Sequence, residues 1–345
     1  MWYHNLAMSA QTTLDIAEFH GDGISSELSR SVRAIAESLP IKTQFHDVDL
    51  SLKRRRFDPG GAFKDAENAM TSFKVAMKYP TITEDISPNK ILREQFNFSV
   101  IHRPVKTIPG VATRMQGELD LNVVRIATGG TYEDSGRYIG QDSAISIRLI
   151  ERKTSFQAAM FAFKLAKRLK VNVVSASKYT IQKFTDGLFE RVVTEVSKEF
   201  PDIVHQSELF DALLAKLIMC PEDYKIIVTP NEYGDFLSDA ACGMIGSIGL
   251  GASASYAFDE AGEITLAMFD PAGGTAPDIA GKGLCNPSAA LWAFSMLLKH
   301  KGQDKVGRNL DLAIRSTISE GLTTKDLGGS LSTEAFTKEI IKKLT

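Results

Sequence analysis

Cysteine is scarce in this chain, and what there is excludes a disulfide framework: Cys220, Cys242 and Cys285 are an odd three among 345 residues. They lie far apart without metal-knuckle spacing, so a reducing compartment, the cytoplasm, is the expectation. Net charge is nearly absent as well, at -2. No global basic field is therefore present to hold nucleic acid or an anionic membrane. The one dense basic run, Lys53-Arg54-Arg55-Arg56, reads as a solvated turn or strand end. No uninterrupted apolar stretch approaches the roughly 18 residues that a membrane span requires. The first dozen residues lack both the apolar core of a signal peptide and the arginines of a transit peptide, so 1–13 reads as a loose tail. Repeats, low-complexity segments and Pro/Gly linkers are missing too.

Against these absences stand 43% hydrophobic and 24% charged residues, enough for a sizeable core in two domains or one large one. Apolar periodicity places strands at 14–19, 121–126 and 171–175, and helices at 25–39 and 154–169. Such alternation implies an α/β fold with a largely parallel sheet.

The chemistry concentrates in charged residues within apolar surroundings. Asp235 and Asp239 stand four apart, which on a helix puts both carboxylates on one face, a turn from each other. Two anions that close call for a cation between them, and oxygen ligands suit a hard ion such as Mg2+ or Mn2+. An isolated D-x-x-x-D is more often a solvated helix face, but here the context argues otherwise. Residues 224–231 form a short β-branched strand ending in Pro230-Asn231, so the acids lie just beyond a strand's carboxyl end, where open α/β sheets place ligands. Arg103 and Arg125 occupy apolar, strand-like stretches, and Arg93 follows Ser87-Pro88-Asn89. Arginine's planar fork binds carboxylates through paired hydrogen bonds.

The run Ile227-Val228-Thr229-Pro230-Asn231-Glu232-Tyr233-Gly234-Asp235-Phe236-Leu237-Ser238-Asp239 resembles the metal-binding segment of the isocitrate and isopropylmalate dehydrogenases, the β-decarboxylating dehydrogenases. Gly21-Asp22-Gly23-Ile24 is similar to their N-terminal turn. Gly274-Thr275-Ala276-Pro277-Asp278-Ile279-Ala280-Gly281-Lys282 with Asn286-Pro287 is similar to their adenosine loop, and Lys325-Asp326-Leu327-Gly328-Gly329 to their C-terminal DLGG segment. The resemblance runs from about residue 14 to 343 and is closest to the NAD-dependent isocitrate dehydrogenases. It implies that family's α/β fold in two discontinuous domains, not a Rossmann fold: a large cofactor-binding domain (1–98 and 247–345) and a small domain with a dimer clasp (99–246). Gly249-Leu250-Gly251-Ala252-Ser253-Ala254 matches G-x-G-x-x-A, yet it follows a helix and no acidic residue closes a βαβ unit, so it is rejected as a dinucleotide fingerprint.

By the same resemblance Tyr132 and Lys178 are the proton carriers, and Arg93, Arg103 and Arg125 hold the substrate's carboxylates. Ser87 and Asn89 match the positions that contact isocitrate's extra carboxylate. Polar groups there would meet an isopropyl arm with unpaired donors, at roughly 1–3 kcal/mol each. Asp211, Asp235 and Asp239 would ligate the metal. Gly274, Thr275, Ala276, Asp278, Ile279 and Asn286 would bind the cofactor, and a carboxylate at Asp278 suits NAD while repelling a 2'-phosphate. Lys178 and Asp211 would arrive from a second copy in a homodimer. Removing Asp235 as its amide is expected to abolish turnover without loss of apo stability, since it relieves repulsion.

The sequence departs from the family pattern in four places. Ile126-Ala127-Thr128-Gly129 replaces E-N-x-E, Gly273 replaces a histidine, Thr180 replaces an asparagine, and the segment from Lys78 to Ser87 is about four residues shorter. The expected activity is NAD- and metal-dependent oxidative decarboxylation of isocitrate. The alternatives are an isocitrate-like acid, such as one bearing a phosphonate, or a non-catalytic regulatory subunit.

Overall fold

The computed structural model describes residues 13–344 apart from Arg114 and Gln116; the tail reading for 1–12 falls outside them. The first stretch runs β1 (Leu14–His20), α1 (Ser25–Ser38), β2 (Thr43–Asp49), α2 (Leu52–Phe57), α3 (Pro59–Phe73), β3 (Val75–Lys78) and α4 (Pro88–Gln95). The middle adds β4 (Val100–Lys106), β5 (Asp120–Ile126), β6 (Arg137–Ile139), β7 (Ser143–Ile145), α5 (Arg152–Leu169), β8 (Val173–Ser177), α6 (Thr185–Ser197), β9 (His205–Leu209), α7 (Phe210–Met219), β10 (Ile226–Thr229) and α8 (Asn231–Met244). The chain closes with β11 (Ala252–Phe258), β12 (Ile264–Pro271), α9 (Ser288–His300), α10 (Asp304–Ser319) and α11 (Thr333–Leu344).

Ten strands form one sheet in the order β2-β1-β3-β12-β11-β4-β5-β10-β8-β9. Two parallel wings, β2 to β12 and β5 to β9, are joined by the antiparallel pairs β12–β11, β11–β4 and β4–β5. The division we propose at 98/99 and 246/247 would cut between β11 and β4, leaving five strands on each side of a continuous ladder. α5 covers one face of β5 and β10 through Ala158, Ala162 and Phe163 on Val124, Ile126 and Val228. α8 covers the other through Leu237 and Ala241, on the side of Leu121 and Val123. That period-2 split along β5 leaves Arg125 on the α8 side. Among the described residues no helix is long and apolar enough to cross a membrane.

Two local readings are corrected. The strand expected at 171–175 is β8, two residues later, because Lys170 ends α5 in the left-handed region (φ 58°) and Val171 still donates to the Ala166 carbonyl at 3.2 Å. That is a helix-closing pattern, and it delays the extended backbone. The basic run is not a solvated turn but the body of α2. Arg54 pairs with Asp58 and Asp65, and Arg56 with Glu84. Arg55 donates to the carbonyls of Leu50 (2.9 Å) and Ile82 (2.7 Å) and faces Asp22.

Candidate active site

At the carboxyl end of β5 a cavity of about 450 Å³ collects Ser87, Asn89, Arg93, Arg103, Arg125, Tyr132, Asp235 and Asp239, eight of the residues singled out in the sequence. They come from α4 and the residue just before it, β4, β5, the loop after β5, and α8.

Arg125, 1% exposed, is built into this position. Its stem lies over Gly234, where an added Cβ would stand 2.6 Å from the Arg125 Cβ and Cγ. Glycine in the Tyr233-Gly234-Asp235 segment is therefore a steric requirement of the arginine. Asn231, first residue of α8, accepts from Arg125 Nε at 2.9 Å and Nη2 at 2.7 Å, and its amide donates to the Gly129 carbonyl at 2.9 Å. Arg125 Nη1 pairs with Asp235. Arg103 Nη1 lies 3.3 Å from both Asp235 and Asp239 and donates to Ser238 Oγ at 2.7 Å. Tyr132 donates its phenol to Asp235 Oδ2 at 3.2 Å. The Arg93 side chain, by contrast, makes no hydrogen bond or ion pair among the described residues, and its Nε is buried and unpartnered, as is Asn89 Oδ1.

The electrostatics follow from three guanidiniums crowded together. Burial, then Arg93 and Arg103, push Arg125 down to about 9. Burial and then Arg103 lower Arg93 likewise. Burial would raise Asp235, but Arg125 and Arg103 outweigh it and hold its carboxyl below the usual range. At Asp239 burial prevails over Arg103, with Asp235 adding to the rise. Burial, reinforced by Asp235, raises Tyr132, which keeps its phenol protonated. Over the whole lining four cations, Lys90 and the three arginines, meet four acids, but Glu94 and Glu133 are exposed, so around Asp235 and Asp239 three guanidiniums face two carboxylates and suit an anionic ligand.

Lys178 and Asp211 do not line this cavity. They pair with each other at 2.6 Å, and that hydrogen bond holds Asp211 low. The sequence reading missed what fixes them. The Lys178 amide donates to buried Asp186 at 2.7 Å, and Arg148 bridges Asp186 to Glu232 at the start of α8. Asn231 and Ser238 stand inside the metal-binding-like segment but were given no role in it, and Arg148 lies in no motif, because their partners Arg125, Arg103 and Asp186 are distant in sequence.

The donor set at Asp235 and Asp239, two oxygen ligands on one helix face, fits a hard divalent ion. The third expected ligand, Asp211, is not within reach inside one chain. Among the described residues the group of three able to converge on one ion is Glu18, His20 and Asp47. There the Arg33 guanidinium already bridges Glu18 and Asp47.

The loop holding Gly274, Thr275, Ala276, Asp278, Ile279 and Asn286 begins beside the cavity, where Ala272 forms part of the wall. It is fixed from behind. Ile24 donates to the Thr275 carbonyl at 3.0 Å, and both Glu27 oxygens accept backbone amides, from Gly281 at 2.9 Å and Gly283 at 2.7 Å. Gly23 (φ 61°) meets Thr275 so closely that a Cβ would stand 1.9 Å from its carbonyl. Asn286 donates to Asp326 of the DLGG segment at 3.0 Å. Asp278 is exposed and Gly273 and Gly274 have open space beside them, which leaves room for a nucleoside.

The family described as isocitrate/isopropylmalate dehydrogenase matches residues 13–344. A probable NAD isocitrate dehydrogenase subunit alpha from Drosophila melanogaster is 33% identical over 332 residues, covering 94% of this chain and 86% of that protein. A 3-isopropylmalate dehydrogenase from Methanothermobacter thermautotrophicus is 33% identical over 337 residues, covering 96% and 99%. The crystal structure of isocitrate dehydrogenase from Methylococcus capsulatus superposes with a TM-score of 0.87 at 29% identity, over 96% of this chain and 99% of that one. The chain belongs to the isocitrate/isopropylmalate dehydrogenase family and is an enzyme of the β-decarboxylating dehydrogenase kind.

Proposed function

We propose that the chain oxidises isocitrate at its secondary alcohol and releases carbon dioxide, using NAD and Mg2+ or Mn2+ as a homodimer. One observation carries the reading: three arginines, one of them unpaired, converge on a cavity that also holds two carboxylates a helical turn apart. Arg93, Arg103 and Arg125 bind the acid's carboxylates, and Ser87 and Asn89 meet its third arm with hydrogen bonds that an isopropyl group could not use. Tyr132, protonated above the range of free tyrosine, supplies the proton to the enol carbon after carbon dioxide departs. Lys178 of the partner subunit takes the hydroxyl proton. Asp235 and Asp239 with Asp211 of the partner subunit would hold the divalent ion, whose chemistry is Lewis-acid polarisation of the substrate's oxygens. The loop at 274–286 would hold NAD as the hydride acceptor, with Asp278 against a ribose hydroxyl.

A second reading, an isocitrate-like acid such as a phosphonate, is favoured by the small residues Ala127, Thr128 and Gly129 beside Arg93 in the cavity wall. The test is turnover of isocitrate, isopropylmalate and homoisocitrate with NAD or NADP and Mn2+. Isocitrate with NAD should be preferred at least tenfold over isopropylmalate, and the reverse preference would refute the Ser87/Asn89 argument. Activity of the chain expressed alone would dispose of the regulatory-subunit reading.

A further inference from the structure

Where α9 and α10 meet β4 lies a smaller cavity of about 110 Å³, which shares no lining residue with the active one. Its polar wall offers donors that nothing satisfies. Trp292, 8% exposed, has a buried indole Nε1 without a partner. The Arg315 guanidinium stands 5.2 Å over that indole ring and gives its Nε to Asp311 at 3.0 Å, while its Nη1 is buried and unpartnered. Indole N–H and guanidinium are donor-only groups, so both call for an acceptor. Lys299 brings a further charge to the same wall. Its stem is held over Gly307, where an added Cβ would stand 2.7 Å from Lys299 Cγ, and Ser295 Oγ fastens α9 to α10 by donating to the Gly307 carbonyl at 2.7 Å. Water could fill this space but would not balance its charge. Of the cations in the lining, Lys106 pairs with Asp120 and Arg315 with Asp311, whereas Lys299 has no ion-pair partner among the described residues. Asp311, already engaged by Arg315, is the one acid among the described lining residues. Burial holds the Lys299 ammonium below its ordinary range, with Arg315 and Arg308 adding to the fall against the pull of Asp311. An anion beside it would reverse that shift.

We infer that this cavity is a second anion site, which takes one small oxyanion of the size of phosphate or sulfate on Trp292 Nε1, Arg315 Nη1 and the Lys299 ammonium. The volume exceeds the roughly 30 Å³ share of a water molecule and falls short of the roughly 300 Å³ at which sites for larger organic ligands begin. A compact ion is what fits. Bound there, it ties α9 and α10 to β4, and it does so whatever acid the active cavity oxidises.

The experiment is titration of the full chain with inorganic phosphate, against chloride at matched ionic strength, read by calorimetry and by Tm. Because the arginines of the active cavity also attract anions, the parent is compared with Arg93→Met, and Lys299→Met and Trp292→Phe are made in that Arg93→Met background. Lys299→Met keeps the stem over Gly307, and Trp292→Phe keeps an aromatic ring beneath Arg315. Phosphate should still bind Arg93→Met and raise its Tm. Its affinity should then fall about tenfold with Lys299→Met and about threefold with Trp292→Phe. Binding that disappears in Arg93→Met would assign the ion to the active cavity and overturn the inference, as would affinity that neither added substitution changes. An equal rise in Tm with chloride would reduce the effect to screening and overturn it too, and so would the absence of any binding, which leaves water as the occupant.

Discussion

At the scale of single residues, Gly234 and Asp235 show how sequence and site diverge. Gly234→Ala adds one methyl group, yet that methyl meets the Arg125 stem at 2.6 Å. Displacing a buried guanidinium should cost about 1–3 kcal/mol of stability and lower kcat/KM at least tenfold, measurable by denaturant melts and steady-state kinetics. The sequence reading treated the aspartates as mutually repelling anions, for which Asp235→Asn would be harmless to the apo protein. In the structure Asp235 is held below the normal carboxylate range by Arg125 and Arg103. Its contribution to stability is thus present above the ordinary aspartate range and fades as pH falls through the lowered value. Asp239 has the opposite sign: its raised carboxyl favours the fold at acidic pH and loses that contribution as pH rises through the raised value. Near pH 7, Asp235→Asn should therefore lower Tm, whereas Asp239→Asn should raise it by on the order of 1 °C. Equal shifts of the same sign would contradict this electrostatic account.

At the scale of elements, the strongly periodic segments were legible. α1, α5 and β5 stand within two residues of where apolar spacing puts them, because each buries one well-defined face. The antiparallel centre was not. β11 is buried on both faces and built of small residues, Ala-Ser-Ala-Ser, so it shows neither alternation nor a long apolar run. Nor did local sequence reveal that the shortened segment after β3 is strapped down. Asp22 accepts the amides of Leu52 and Ile82, each at 2.8 Å, and Arg55 holds the Ile82 carbonyl. These are contacts across 30 and 60 positions of chain, beyond any windowed pattern. Asp22→Ala should leave two amides without their partner and cost about 3 kcal/mol. Hydrogen exchange should then quicken at Leu52 and Ile82 while β10 stays protected; unchanged exchange at both amides would dismiss the strap.

At the scale of the whole molecule, one chain gathers Arg93, Arg103, Arg125, Tyr132 and two acids, and leaves Lys178 and Asp211 outside the cavity. The hairpin β6–β7 exposes Tyr138 and Ile139, with Ile147 following it, an apolar surface suited to a second copy. On the homodimer proposal, co-expressing Tyr132→Phe with Lys178→Met should restore about a quarter of parental activity, because half the random dimers carry one intact site. Sites complete within one chain would restore none. The central claim is that this cavity couples oxidation to loss of carbon dioxide. The most direct measurement follows NADH and carbon dioxide together, with isocitrate and homoisocitrate, in Mn2+ and then in excess chelator. The account predicts one carbon dioxide per NADH with at least one of these acids, both abolished by chelation and by Asp235→Asn. NADH formation without carbon dioxide, or turnover that survives chelation, would contradict it.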